Sequence, residues 1–174
     1  MVGNYFITGG PGVGKTTVLM KVVDELRDRD VVGGVYCPEI RENGRRKGFK
    51  IIDVLSGRSG VLAHIDQEEG PKVGKYRVDI SSVDRVSRES FKRGIEESDV
   101  VVVDEIGPME VYSEVFKEWC WRVLESDVPV LGVIHKQSVT GYIGRVKDRG
   151  DVNYLGVEAR GTLPLPPVEL TMDG

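Results

Sequence analysis

The sequence predicts an α/β fold: a three-layer α/β/α sandwich on a mixed sheet, with an antiparallel hairpin inserted into it. Three observations carry that expectation. Strand-like and helix-like runs alternate along most of the chain, and parallel strands need helical crossovers. Valine occurs 29 times in 174 residues, which favours buried strands over an all-helical bundle. After the first helical run come several consecutive strand-like runs, two of them joined by a turn signal, as an antiparallel insertion would read.

The elements follow in order. Val2–Thr8 is a mostly apolar run that stops at a glycine cluster, as a buried strand would. Lys15 to Arg29 carries Val18, Leu19, Val22, Val23 and Leu26 at helical spacing. Gly33–Ile40 and Gly48–Leu55 read as strands, with Glu42-Asn43-Gly44 as the hairpin turn between them. Val61–Ile65 and Lys75–Ile80 are further short strands. Ser81 to Glu97 reads as a helix with Ser81 and Asp84 spaced as a capping box. Val100–Val103 is four valines, a strand buried on both faces. Ser113 to Leu124 is helical, capped by Ser113, with Val115, Phe116, Trp119, Cys120 and Val123 inward. Val128–Ile134 is a strand, Gln137–Asp148 a weaker helix, and Val152–Val157 a final strand. Leu163–Pro167 is proline-rich and reads as an extended segment packed on the domain.

Composition narrows the classes. With 40% hydrophobic and 30% charged residues the chain reads as one globular domain over 1–174, not a disordered one. A net charge of −4 argues against a surface built wholly for nucleic acid or anionic membrane. No run approaches the roughly 20 apolar residues of a membrane span, and MVGNYFITGGPG has no secretory n- or h-region. Cys37 and Cys120 exclude a disulfide scaffold or cysteine-rich metal cage and read as small buried hydrophobes, so a cytoplasmic protein is expected. Only five residues are Asn or Gln while charge is abundant, the direction in which heat-adapted proteins drift, so a thermophilic source is expected.

Gly9-Gly10-Pro11-Gly12-Val13-Gly14-Lys15-Thr16, followed by Thr17, matches G-x-x-x-x-G-K-[ST], directly after a strand and before a helix. The physics behind this P-loop (Walker A) pattern is specific. Backbone N–H groups converge on phosphate oxygens only where glycines permit positive φ and no Cβ intrudes. The helix N-terminus adds unpaired donors and partial positive charge. Lys15 can reach β- and γ-phosphates, and the Thr16 hydroxyl can ligate Mg²⁺. Asp104 and Glu105 end the valine strand at the Walker B position. There Asp104 suits the metal and Glu105 can orient or deprotonate an attacking water.

Asp104-Glu105-Ile106-Gly107 also fits the D-x-x-G of regulatory GTPases, but His135-Lys136-Gln137-Ser138 lacks the guanine-selecting Asp. His135 and Lys136 are candidates for sensing the γ-phosphate. Arg145, Arg149 and Arg160 could each supply an arginine finger, and none is singled out. Arg41 to Arg58 holds six basic and two acidic residues, net +4; a solvated hairpin tip is favoured over a nucleic-acid or phosphate site.

The phosphate loop, the stretch GGVYCPEIRENGRRKG ending at Gly48, Val73-Gly74-Lys75-Tyr76 and Asp104-Glu105-Ile106-Gly107-Pro108-Met109-Glu110 together resemble one family. It is the small nucleoside-triphosphatase family first described from thermophiles, whose vertebrate relatives are called cancer-related nucleoside-triphosphatases. The DEIGPME block is more specific than either Walker motif. The resemblance implies a P-loop NTPase with a RecA-like core, slow hydrolysis of several NTPs, and Mg²⁺ as cofactor. It also implies that Gly9–Thr17 bind phosphates, that Thr16 and Asp104 serve the metal, and that Glu105 is the catalytic carboxylate. Met109 and Glu110 belong to the block, with no role beyond positioning the loop.

The expectation is therefore Mg²⁺-dependent hydrolysis of nucleoside triphosphates, with Lys15 and Glu105 catalytic. Two alternatives remain open from sequence. One is a nucleotide or small-molecule kinase, which would need an acceptor pocket. The other is a nucleic-acid-associated ATPase module using the basic hairpin. The oligomeric state is left open.

Overall fold

A computed structural model of the chain describes residues 3–157; Met1, Val2, Arg160 and the proline-rich stretch Leu163–Pro167 lie outside the described residues. The elements run β1 (Asn4–Thr8), α1 (Lys15–Leu26), β2 (Val32–Tyr36), β3 (Glu39–Glu42), β4 (Arg45–Asp53), β5 (Ser59–His64), β6 (Lys72–Val73) and β7 (Tyr76–Val78). They continue with α2 (Ile80–Glu97), β8 (Val100–Ile106), a 3₁₀ turn (Glu110–Tyr112), α3 (Glu114–Glu125), β9 (Val130–Ile134), α4 (Gly141–Lys147) and β10 (Val152–Gly156).

One mixed sheet joins all the described strands in the order β10-β1-β9-β8-β2-β4-β5-β7-β6, with β3 beside β4. The strands β10, β1, β9, β8 and β2 are parallel. From β4 outward the pairing is antiparallel. Strand alternation then divides the core. Phe6, Val101 and Val103 pack on one face with residues of α2, α3 and α4, including Phe91, Phe116 and Ile143. Ile7, Val102 and Val133 point to the other face, against Leu19 and Val23 of α1. Three layers result. Because parallel strands share a direction, the carboxyl ends of β1, β8 and β9 lie at one edge, where α/β sheets place their ligands.

Three details differ from the sequence reading. Gly33–Ile40 is two strands, not one: β2 runs parallel to β8 in the core, and β3 makes the hairpin with β4 across Asn43-Gly44. Pro38, which has no N–H for a ladder, stands at the break between β2 and β3. The second helix is capped not by Ser81 with Asp84 but by Asp79, whose carboxylate accepts from the backbone N–H and hydroxyl of Ser82. Asp84 instead accepts a hydrogen bond from Ser113 Oγ, tying α2 to the cap of α3. The run ending at Ile80 is correspondingly shorter, as β7. Ser113 caps α3 as expected, accepting from Phe116 N at 2.9 Å.

Candidate functional site

The phosphate loop takes its shape from its glycines. Gly12 and Gly14 have φ of +73° and +90°, in the left-handed region that a side chain strains. Gly14 is also the N-cap of α1, so the helix starts at Lys15 with its free N–H groups facing the loop. Gly9 is buried at the end of β1, Pro11 and Gly12 are exposed, and Gly10 and Val13 are half-buried. Lys15 folds back over the loop, its Nζ donating to Gly9 O at 2.8 Å and Gly10 O at 2.9 Å. Thr16 and Thr17 are exposed on the first turn of α1.

The acids of β8 meet this loop across the sheet edge. Thr16 Oγ1 donates to Asp104 Oδ1 at 3.2 Å, although the two are 88 residues apart. Asp104 is 2% exposed, and its Oδ2 has no hydrogen-bond partner among the described residues. Burial, then the charge of Glu105, push its carboxyl up to about 7; the backbone of Cys37, Thr16 and Lys15 act in the opposite direction. Glu105 is half-buried, raised by burial and held back by the charges of Lys15 and His135. The structure thus brings together Lys15, Thr16, Asp104 and Glu105, the residues singled out from the two motifs.

A third carboxyl joins them. Glu110, at the start of the 3₁₀ turn, is 5% exposed and pairs with no basic side chain among the described residues. Burial foremost, and Glu105 next, drive its carboxyl well above the usual range. Gly107 explains the crowding. A Cβ there would press on Glu105 Oε1 and sit 3.0 Å from Glu110 Oε2, so both side chains occupy the space that the missing Cβ leaves. The sequence gives Glu110, as a member of the DEIGPME block, no role beyond positioning the loop. Its proximity to Glu105 depends on the turn between them.

These acids form one wall of a chamber of about 190 Å³. Its other walls are apolar: Phe49, Leu62 and Val73 from the antiparallel strands, with Pro108 and Met109 from the loop after β8. Cys37 lines it too, half-buried beside the acids and packed against the edge of the core. Burial, then Glu110, Asp104 and Glu105, push its thiol upward. Cys120 is buried in the core as expected.

Of the other candidates, His135 remains close enough to this centre for its charge to act on Glu105. His135 lies beyond the end of β9, the strand that runs between β1 and β8, and its Nδ1 is 2.8 Å from Ser138 Oγ. Lys147 fixes the loop after it, donating to the carbonyls of His135, Lys136 and Ser138. Lys136 is exposed. Arg145 lies 4.9 Å from the Trp121 ring centre, and Arg149 is paired with Asp151 at 2.8 Å, so both are engaged elsewhere. In the basic hairpin, Arg41 and Arg46 both pair with Glu39, on exposed side chains.

The sequence model of a family described as NTPase matches residues 4–164. The chain belongs to this family. It is 43% identical over 166 residues to a protein of Thermofilum pendens named nucleoside-triphosphatase THEP1, covering 94% of this chain and 91% of that one. A Methanopyrus kandleri protein of the same name is 44% identical over 139 residues, 79% of this chain and 76% of its own length. Two solved structures share the fold. The crystal structure of THEP1 from the hyperthermophile Aquifex aeolicus superposes with a TM-score of 0.78 at 26% identity, covering 88% of this chain and 89% of that one. The solution structure of a human cancer-related nucleoside triphosphatase gives 0.74 at 31% identity, covering 90% and 89%. The fold of this NTPase-family chain is therefore the three-layer P-loop architecture. Among its described residues no helix is long and apolar enough to cross a membrane.

Proposed function

We propose that the chain hydrolyses nucleoside triphosphates to nucleoside diphosphate and phosphate at the edge formed by β1, β8 and β9, with Mg²⁺ as cofactor. The observation that carries this reading is the meeting of a complete phosphate loop with the acids that end β8, Thr16 Oγ1 lying 3.2 Å from Asp104 Oδ1. Family membership supports it.

The residues fit the metal. Asp104 Oδ2 is a buried oxygen without a partner, and Thr16 adds a second hard oxygen beside it. Mg²⁺ typically takes one or two protein oxygens and completes its shell with phosphates and water. When bound, it would neutralise charge on the β- and γ-phosphate oxygens. The protein's own residues supply the remainder. The loop N–H groups and the start of α1 bind the phosphates. Lys15 exchanges its two carbonyl partners for phosphate oxygens, a charge-assisted bond in place of neutral ones. Glu105 accepts the proton of a water whose oxygen attacks the γ-phosphorus, while the electron pair of the breaking bond leaves with the diphosphate. No base-reading motif is present in the sequence, so use of ATP, GTP and other NTPs is expected. We read the protein as cytoplasmic and residues 1–174 as a single nucleoside-triphosphatase domain.

Phosphate release measured on ATP, GTP, CTP, UTP and ADP, with and without Mg²⁺, EDTA and nucleic acid, tests this reading. Triphosphates should be cleaved, EDTA should abolish cleavage, and nucleic acid should leave it unchanged. Glu105→Gln should bind labelled NTP yet turn over roughly 10²–10⁴-fold more slowly, the contribution of a positioned base. A wild-type rate in that variant assigns the water to another group.

A further inference from the structure

The chamber beside Glu105 is larger than hydrolysis requires. One water occupies about 30 Å³ of liquid, and a dry cavity of about 150 Å³ accepts a benzene molecule. This chamber holds about 190 Å³. Its composition is equally pointed. Phe49, Leu62, Val73, Pro108 and Met109 give it an apolar body, whereas Asp104, Glu105 and Glu110 gather on one wall. Among the described residues no lysine or arginine lines it. Apolar walls with a few convergent polar groups are the make-up of a small-molecule subsite.

Its position decides which molecule would gain from it. Asp104 and Glu105 belong to both the chamber and the phosphate edge, because Asp104 meets Thr16 of the loop while also lining the chamber. The charge of Lys15 reaches both carboxylates. The far wall comes from β4, β5 and β6, strands of the antiparallel extension that the parallel core does not need in order to bind phosphate. A body held against that wall would present its polar end to Glu105, beside the γ-phosphate.

We propose that this chamber is an acceptor subsite: it binds a small alcohol with an apolar body about the size of one aromatic ring, and the protein transfers the γ-phosphoryl group to its hydroxyl. The proposal rests on the hydrolytic reading of the site and gives Glu105 the same task. The alcohol oxygen forms a bond to the γ-phosphorus as the bond from that phosphorus to the β–γ bridging oxygen breaks. The electron pair leaves with the nucleoside diphosphate, the hydroxyl proton passes to Glu105, and the second product is a phosphate monoester. Water attacks when the chamber holds no alcohol.

The full-length protein is incubated with Mg²⁺ and ATP in the presence of benzyl, phenethyl or isoamyl alcohol. ATP consumed, inorganic phosphate and phosphate ester are followed together by phosphorus NMR. The expected result is ester equal to about a tenth or more of the ATP consumed, saturating with alcohol concentration, because a bound acceptor has a high effective molarity. Val73→Phe fills the far wall from a short, half-buried edge strand and should abolish ester while leaving phosphate release intact. Leu62→Phe, from the neighbouring wall, provides a second filling should the first variant fail to fold. Inorganic phosphate equal to ATP consumed with all three alcohols overturns the proposal. Ester formed equally well by the filled variants also overturns it. Absence of ATP cleavage without alcohol overturns the hydrolytic reading itself, a distinct outcome from loss of ester alone.

Discussion

Gly107→Ala should separate nucleotide binding from turnover. A Cβ at this position would lie 3.0 Å from Glu110 Oε2 and well inside contact distance of Glu105 Oε1. Restoring an ordinary carbon–oxygen contact requires the Glu105 carboxylate to retreat by about 1 Å. The backbone need not follow, since both obstructing atoms are the ends of flexible side chains and Gly107 is not at positive φ. Folding stability should therefore change by less than about 1 kcal/mol. Catalysis is less forgiving, because a misplacement of about 1 Å at a reacting group can cost on the order of 10²-fold in rate. Labelled-NTP binding, single-turnover phosphate release and thermal unfolding should be measured on the same preparation. Affinity and Tm should stay near wild type while phosphate release falls about 10²-fold. Turnover within about twofold of wild type would show that Glu105 is not held in place by the missing Cβ, and the argument would fail.

Lys15→Ala should remove nearly all hydrolysis and weaken NTP binding, because the ammonium that neutralises the polyphosphate is gone; wild-type turnover would refute the loop assignment. Asp104, at about 7 when folded, stands above its ordinary 3.8, so the folded state binds the extra proton between those values. Stability of the nucleotide-free protein should thus fall as pH rises through that window, by up to about 1.4 kcal/mol per pH unit from this group. Asp104→Asn should flatten the slope in urea unfolding followed across the window, and an unchanged slope counts against the shift. Glu110→Ala should lower kcat by about tenfold with KM unchanged, by freeing the Glu105 carboxylate, whereas Glu110→Gln should restore most of the rate. Equal losses in the two variants would reduce Glu110 to a packing residue.

The local decisions were legible in the sequence because they are local in physics. Gly9–Thr17 must form its loop wherever it stands, since left-handed backbone at Gly12 and Gly14 and a helix beginning at Lys15 are properties of that short segment. Four valines ending in Asp104-Glu105 likewise announce a strand leaving a core. The cap of α2 lies two residues before the one that the sequence pattern suggests because Asp79 and Ser81 are both competent caps, and the choice depends on where β7 stops. Tertiary structure alone decided the rest. Alternation gives each strand two faces but no neighbour, so nothing in the sequence pattern placed β9 between β1 and β8 or put β2 in the parallel core while β3 took the hairpin. Glu110 owes its raised carboxyl to burial first and then to Glu105, with which it shares the space over Gly107, and Cys37 sits between acids and core because β2 ends beside β8. The chamber is a product of Phe49, Leu62 and Val73 meeting Pro108 and Met109 across 35 to 60 residues of chain. Hydrophobic pattern says that such side chains will be buried; the pairing of strands decides what they are buried against.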